Sequence, residues 1–513
     1  MAGEGSAVRR ARVALAWIVL GGLGGAGCGS GDGPPETDPV EFAVQNPRVP
    51  LLGCFDAIDP PGDCRRAADC ADGERCMLDT RALPGEHGPL PLTCAPERGG
   101  LAARERCESG DACATGLCGL AGVCLEPCRR DGDCVEGQHC RPVEARAGDD
   151  ELGSVMACTR PIVLPGDVQL AVVSGQRLRR GVNEVAIPAA PDPSLVYIQA
   201  ECGRSMDVLT LRSNDDDREL YDRAGLYAGK KSATNTVLHD GSALATLLFP
   251  NNPRVMLAER GLTVGVRLQQ ESSADVVVAS RGGGARALDL NVFYVGGGIA
   301  TVDGGFRPGS VYVARMLRTL DARFREIGLS LGEIREHEVV GELREELSVL
   351  EVPRREVNGR QVEGRPQRLD ELFRLSAGID EPGINVFLVS DMGSYLGISG
   401  GIPGVLGVHG TSRSGIAIAA DTLGDLSDAD LVLMHEIAHF MGLFHTSEST
   451  GFVLDPLTDT PECRTQHDED EDGELSTWEC ESHGADNLMF WSGSGTVLTA
   501  QQIEVLSRSV VLR

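Results

Sequence analysis

The stretch His435–His445 reads HEIAHFMGLFH: three histidines, one glutamate and one glycine in an otherwise apolar run. His435 and His439 stand four apart, so on a helix their side chains share one face. Glu436 is the next residue along, beside that face. Gly442 can end such a helix and turn the chain sharply, which brings His445 back towards the first two imidazoles. Three neutral imidazoles converging on one point are what a catalytic zinc ion takes, with its fourth place kept for water or substrate. Glu436 then has the place of a general base that accepts a proton from the attacking water. The bland alternative is a core helix whose histidines are satisfied one by one. Each of these polar groups would then need its own partner, at a cost of roughly a few kcal/mol where one is missing. One metal ion satisfies the three histidines together. A purely structural zinc would be closed by a fourth protein ligand, and none is evident nearby.

A second motif lies downstream. In DEDEDGELSTWE, Asp468, Asp470 and Asp472 stand at loop positions 1, 3 and 5, followed by Gly473 at 6, Glu474 at 7, Leu475 at 8, Ser476 at 9 and Glu479 at 12. That is the spacing of an EF-hand calcium loop, with hard oxygen ligands for Ca2+ and a glycine for the tight bend. A charge block usually means a solvated acidic run. The glycine, the apolar eighth position and the terminal glutamate weigh against that here. No clear entering helix precedes the loop, and Cys463 and Cys480 flank it. The expectation is a calcium loop closed by a Cys463–Cys480 bridge and not a full helix–loop–helix.

The complete spacing H-E-x-x-H-x-x-G-x-x-H resembles that of the metzincin metallopeptidases. Their other mark is a methionine turn beneath the metal, and Met489 in GADNLMFW lies about the right distance downstream. DTPEC after the third histidine and DNLM before the turn look like the pappalysin branch. The resemblance covers roughly residues 286–513. It implies a zinc endopeptidase acting on a protein or peptide substrate, which lies antiparallel to an upper-rim edge strand. Zinc would be held by His435, His439 and His445, with Glu436 as general base and acid and Met489 supporting the site from below. There is one departure. Pappalysins usually follow the turn methionine with an acidic residue and a tyrosine that helps stabilise the oxyanion, whereas Phe490 and Trp491 follow here. An indole N–H donates one hydrogen bond but does not act as a phenol does, so the oxyanion donor is left unassigned. The rival class is a surface lipoprotein that binds a partner and carries a metzincin-like domain without turnover. The intact Glu436 argues against it.

These residues need elements to position them. Ser427, with Asp430 three residues on, gives a capping signal for the histidine helix. Leu431–Met441 has almost no polar face beyond the motif, as in a buried helix. Upstream, Val313, Met316, Leu317, Leu320, Phe324 and Ile327 recur at helical spacing within SVYVARMLRTLDARFREIGLSL. A further helix is expected in RLDELFRL, strands in ALDLNVFYVGG and GINVFLVS, and a Gly-rich hairpin region follows. Strands alternating with helices make residues 286–513 an α/β or α+β domain, the stretch that the resemblance implies to be a metzincin catalytic domain. Residues 161–285 carry short alternating runs (VQLAVV, LVYIQAE, LTVGVRL, ADVVVAS) separated by turn clusters, an all-β pattern expected to form a sandwich. A pro-region covering the active site is the alternative for that segment.

Thirteen cysteines fall between Cys54 and Cys158. CRRAADCADGERC and CRRDGDCVEGQHC are near-copies, with the related CESGDACATGLC between them, so residues 51–160 read as a repeat of small disulfide-stapled units. Zinc knuckles favour cysteines two to four apart, and wider spacings dominate here. Connectivity is not deducible from spacing. Cys202 stands alone in its segment and is expected to pair with the odd cysteine upstream.

The chain of 513 residues has room for about three domains. A formal charge of −29 sets nucleic acid aside as a partner, and 17 cysteines point to an oxidising compartment. Residues 1–27 form a signal peptide, with Arg9, Arg10 and Arg12 before an apolar stretch too short to span a membrane. GAGC ending at Cys28 resembles a bacterial lipobox, although Gly25 stands where leucine is preferred. Lipidation there would anchor the chain to the cell envelope through the tether 28–50. It would also leave sixteen cysteines, an even number for pairing. A Cys28→Ala variant should therefore move from the detergent phase to the aqueous phase on partitioning. Equal aqueous partitioning of both proteins would mean ordinary secretion.

Overall fold

The computed structural model describes residue 64, residues 69–78 and residues 92–513, apart from 120–121, 130, 136–137, 148–149, 161, 190–193, 201–204, 228–230, 235–243, 256–259, 282–283, 297–306, 340–341, 358–359, 420–428 and 493–494. The signal peptide, Cys28, the tether, Cys54, Cys202 and the capping Ser427 lie outside the described residues. The chain is multidomain, with disulfide-rich N-terminal segments, antiparallel sheets and a mixed sheet flanked by helices.

The sequence repeat is a repeat of bridges. Cys64–Cys76 and Cys70–Cys94 recur as Cys128–Cys140 and Cys134–Cys158, with the same separations of 12 and 24 residues. Between them lie Cys107–Cys118 and Cys113–Cys124. In each unit the first cysteine pairs with the third and the second with the fourth. Every sulfur here is bonded to another, so none is free as a thiolate ligand. The bridges use all the cysteines from Cys64 to Cys158, which leaves Cys54 as the odd one of the thirteen. With Cys463–Cys480, this degree of bridging fits an exported protein.

Two four-stranded antiparallel sheets follow. One runs in the order Glu219–Asp222, Met206–Ser213, Leu262–Leu268, Gly181–Ile187, and the other Leu244–Phe249, Ser194–Ala200, Ser272–Ser280, Gln169–Leu178. Successive strand residues point to opposite faces. In the second sheet both faces are buried. Val196, Ile198, Ala245, Leu247, Val276 and Val278 meet the first sheet. Leu195, Tyr197, Leu244, Leu248, Val277 and Ala279 join the core around the histidine helix. The alternation expected of these runs, one face apolar and one polar, does not hold for this sheet, because a second core covers its other face.

The mixed sheet has the order Ser330–Glu338, Ala287–Tyr294, Ile384–Val389, Ile416–Ala419, Gly397–Ser399. Its first four strands are parallel, and the last runs antiparallel at the end of the sheet. Helix Val311–Glu326 crosses between the first two parallel strands and buries Val313, Met316, Leu317, Leu320 and Phe324. The helical run does not continue through GLSL. Gly328, at φ +78, turns the chain, and Ser330–Glu338 is a strand rich in charged residues that gave no apolar signal. One face of the sheet packs on helix Val311–Glu326 and the histidine helix. On the other face, Phe293, Phe387 and Ala417 meet helix Leu369–Arg374 and the disulfide units.

The histidine helix, Ala429–Phe440, is buried along its whole length. Asp430 at its start is ion-paired with Arg323 of the neighbouring helix. The β-sandwich also reaches the segment beyond the helix: Asn252 Nδ2 donates to the Pro456 carbonyl at 2.7 Å, and Lys231 lies 2.7 Å from Glu462.

A buried polar network ties the mixed sheet to the loop that follows its last strand. Asn385 Nδ2 donates to the Ser414 carbonyl at 2.6 Å and approaches His409 Nδ1 at 2.9 Å, while His409 Nε2 lies 3.0 Å from the Glu381 carbonyl. An amide nitrogen only donates and a carbonyl only accepts, so the ring is neutral with its proton on Nε2. Burial pushes His409 down to about 4. The unfolded chain therefore takes up a proton near pH 6.5 that the folded chain refuses until about pH 4. This contribution is full above pH 6.5 and is lost as pH falls towards 4. His409→Gln should cost stability at pH 7.5, and the gap to wild type in urea titrations should narrow by about 2 kcal/mol at pH 5. A gap of equal size at both pH values would contradict the neutral buried ring.

Candidate metal centre

The helix presents His435 and His439 on one face, and their rings lie edge to face with centroids 4.5 Å apart. Gly442 follows at φ +112, where a Cβ would stand 2.5 Å from Leu248 of the sandwich. Only glycine suits that turn, and the turn returns His445 to the pair. His445 Nε2 lies 3.2 Å from His435 Nε2 and 3.0 Å from His439 Nε2.

The outward nitrogens settle where the protons are. His435 Nδ1 lies 2.7 Å from the Leu488 carbonyl, His439 Nδ1 2.7 Å from the Leu443 carbonyl, and His445 Nδ1 3.1 Å from Glu448 Oε1. All three acceptors require Nδ1–H donors, so each ring in its neutral form turns a bare Nε2 lone pair inward. Burial, reinforced by the neighbouring His445, pushes His435 down to about 3, and burial holds His439 far below its ordinary value. Three lone pairs at these distances repel unless a cation lies among them. A tetrahedral zinc ion with nitrogen bonds of about 2.05 Å sets its ligands roughly 3.3 Å apart, close to the spacing seen. The trio of buried nitrogens suits a metal such as zinc, and each ring has the outer hydrogen bond that orients a metal-ligating imidazole.

Glu436 is buried against the last strand of the mixed sheet. A Cβ at Gly397 would lie 2.6 Å from its Cγ, so the glycine makes room for this side chain. Burial raises its carboxyl to about 8, opposed by a hydrogen bond from the Ser399 backbone.

Met489 is fully buried in the turn that supplies the carbonyl to His435. Its own carbonyl accepts from Thr446 N–H at 2.9 Å, so one turn ties the helix to the segment after His445. The turn is held in its turn by Asn487, whose Oδ1 accepts from Met489 N–H at 2.8 Å and whose amide pairs with Gln502 at 2.9 and 3.1 Å. Gln502 belongs to the last helix, Ala500–Ser507, which Thr499 caps. Sequence reading missed Gln502, Asn487 and Glu448. The only signal for the first was the T-x-x-Q capping pattern. Phe490 and Trp491 pack on the Cys463–Cys480 bridge and Leu475, and Trp491 Nε1 has no hydrogen-bond partner.

In the acidic loop, oxygens of Asp468, Asp470 and Glu479 come within 4.8 Å of one another. Asp472 and Glu474 are not in that group, and Asp472 Oδ1 accepts from the Glu474 backbone at 2.8 Å. Ser476 Oγ donates to Glu479 at 2.6 Å, the foremost cause holding that carboxyl below its ordinary range. Gly473, at φ +81, donates its N–H to Asp468 Oδ2 at 2.9 Å. Asp468 Oδ1 is shielded from solvent without a partner. Leu475 turns inward onto the disulfide.

No family model matches the chain, and no curated protein matches it. Matches among solved structures include the infectious bursal disease virus Gx strain, at 12% identity over 28% of this chain and 38% of that one, with a TM-score of 0.12. An active-site mutant of a family two carbohydrate esterase from Clostridium thermocellum matches at 10% identity over 43% of this chain and 65% of that one, with a TM-score of 0.11. The chain spans less than two thirds of either, and likenesses this slight carry no argument about fold or activity.

Proposed function

We propose that the protein is an exported zinc-dependent endopeptidase whose C-terminal part resembles the pappalysin branch of the metzincins. The observation that carries this reading is the convergence of three bare imidazole nitrogens; Glu436, next in sequence to the first of them, is buried against the last strand of the mixed sheet. A zinc ion held by His435, His439 and His445 would supply a Lewis acid that acidifies water and polarises a peptide carbonyl. Glu436 takes a proton on its carboxylate and returns it to the leaving amine. Its burial raises its proton affinity towards the neutral range that suits a group working in both directions. The Ser399 hydrogen bond and the close fit to Gly397 orient that carboxylate. Met489, through the carbonyl beside it, orients His435. To the strand Gly397–Ser399 we assign the rim along which a substrate backbone runs.

Glu436→Gln should keep the metal and lose roughly 10²–10⁴-fold in peptide hydrolysis, since an amide accepts no proton while the three histidines stay intact. Near wild-type cleavage of casein by the zinc-loaded variant would sink the mechanism. Zinc binding without any cleavage by the wild type would favour the surface binding protein.

We further propose that Asp468, Asp470 and Glu479 hold calcium, joined by Asp472, Ser476 and the Glu474 backbone as the loop closes on the ion. The unpartnered, shielded oxygen of Asp468 supports this. Calcium would relieve carboxylate repulsion and stabilise the fold by mass action, within the limits set by the Cys463–Cys480 bridge. In thermal melts of zinc-loaded protein, calcium should raise the midpoint above a magnesium control, and Asp468→Ala with Asp470→Ala should abolish the rise. An unchanged midpoint in the wild type would reduce the motif to a solvated acidic loop.

A further inference from the structure

The three histidines are not held alike. His435 and His439 each donate Nδ1–H to a backbone carbonyl, which is a dipole. His445 faces a side-chain carboxylate, Glu448 Oε1 at 3.1 Å, which brings a full charge. The His445 side chain is 0% exposed and that of Glu448 27%, so the contact lies at the boundary between the buried centre and water.

Glu448 is not a loose surface group. Its N–H donates to the Val453 carbonyl at 3.0 Å, and its carbonyl accepts from Gly451 N–H at 2.8 Å. Ser447 and Leu454 pair antiparallel beside it, closing a short hairpin directly after the third histidine. The hairpin is in turn docked on the acidic-loop segment: Leu475 N–H donates to the Ser449 carbonyl at 2.6 Å, and Thr465 Oγ1 to the Thr450 carbonyl at 3.1 Å. These bonds fix the backbone from which the carboxylate reaches His445.

We infer that Glu448 is a positioning residue for the metal centre, and that its negative charge, acting through the His445 ring, is part of what holds the ion. The inference rests on the metal-centre reading. Three neutral imidazoles bring no charge of their own to a buried dication, and a buried charge is costly without an opposite one nearby. A carboxylate on the outer N–H makes the imidazole a stronger donor as well as orienting it. Glu448 does both for one ligand, whereas carbonyls only orient the other two.

The test is zinc affinity of the full chain at fixed pH, read by competition with a chromogenic chelator, for wild type, Glu448→Gln and Glu448→Ala. Glutamine keeps an oxygen acceptor and removes the charge. Removal of such outer partners typically weakens metal binding by roughly 10–100-fold. Both variants should fall in that range, with Glu448→Gln nearer to Glu448→Ala than to wild type. The visible absorption bands of the cobalt-substituted protein should shift in both. Wild-type affinity in Glu448→Gln would overturn the inference, since the contact would then only orient the ring. A loss matched by an equal drop in the melting point of the metal-free variants would mark a damaged hairpin and overturn it too. A wild-type chain that bound no zinc would overturn the metal-centre reading itself, and this inference with it.

Discussion

Three lone pairs turned towards one point are the constraint on which the rest of this structure depends. Left to themselves they repel, and burial denies His435 and His439 a proton as relief. The fold nevertheless forces them together from three directions. The helix fixes two, the Gly442 turn returns the third, and acceptors on the far side of each ring hold the proton away from the centre. Each acceptor comes from a different stretch of chain: the methionine turn, the end of the helix, and the hairpin after His445. The Asn487–Gln502 amide pair extends this dependence to the last helix. The residues that shape the centre are thus spread from Gly397 to Gln502, although the three inward nitrogens lie within eleven residues of sequence.

Much of this was legible because local periodicity encodes it. His435 and His439 announce a shared helix face by their spacing, and the residues that buried helix Val311–Glu326 are those whose recurrence predicted it. The duplicated cysteine pattern announced a repeated unit. What local sequence hides is contact between distant segments. Nothing in SEST shows that Glu448 turns back onto His445, because a glutamate three residues past a ligand looks like any surface acid. Gln502 is equally silent, since its amide partner lies across a turn. Strand Ser330–Glu338 escaped notice because a sheet edge beside solvent tolerates charge and loses the apolar signal. The runs LVYI and DVVVA identified strands, but only the packed structure shows that alternate residues serve two cores.

The two acidic features behave differently for a physical reason. Glu436 is fully buried, so burial dominates and its proton is held more tightly. Glu479 receives hydrogen bonds from Ser476 and from the Glu469 backbone, so its charged form is favoured. One carboxylate is suited to exchanging a proton and the other to staying ionised. Environment makes that division, since the side chains are identical.

The sheet shared between two cores has a consequence for how the chain reaches its final state. A helix without a polar face has nowhere to rest in water, and exposed apolar segments of this kind associate with one another. Its two covering surfaces are made of strands that come earlier in the chain: Ser194–Ala200, Leu244–Phe249 and Ser272–Ser280 on one side, Ala287–Tyr294 and Ile384–Val389 on the other. A chain emerging from its amino end has synthesised both walls before Leu431 appears. This wholly buried helix is therefore made after the strands of both walls, and the chain's last segments, Leu488–Met489 and Val505–Leu512, join its core later.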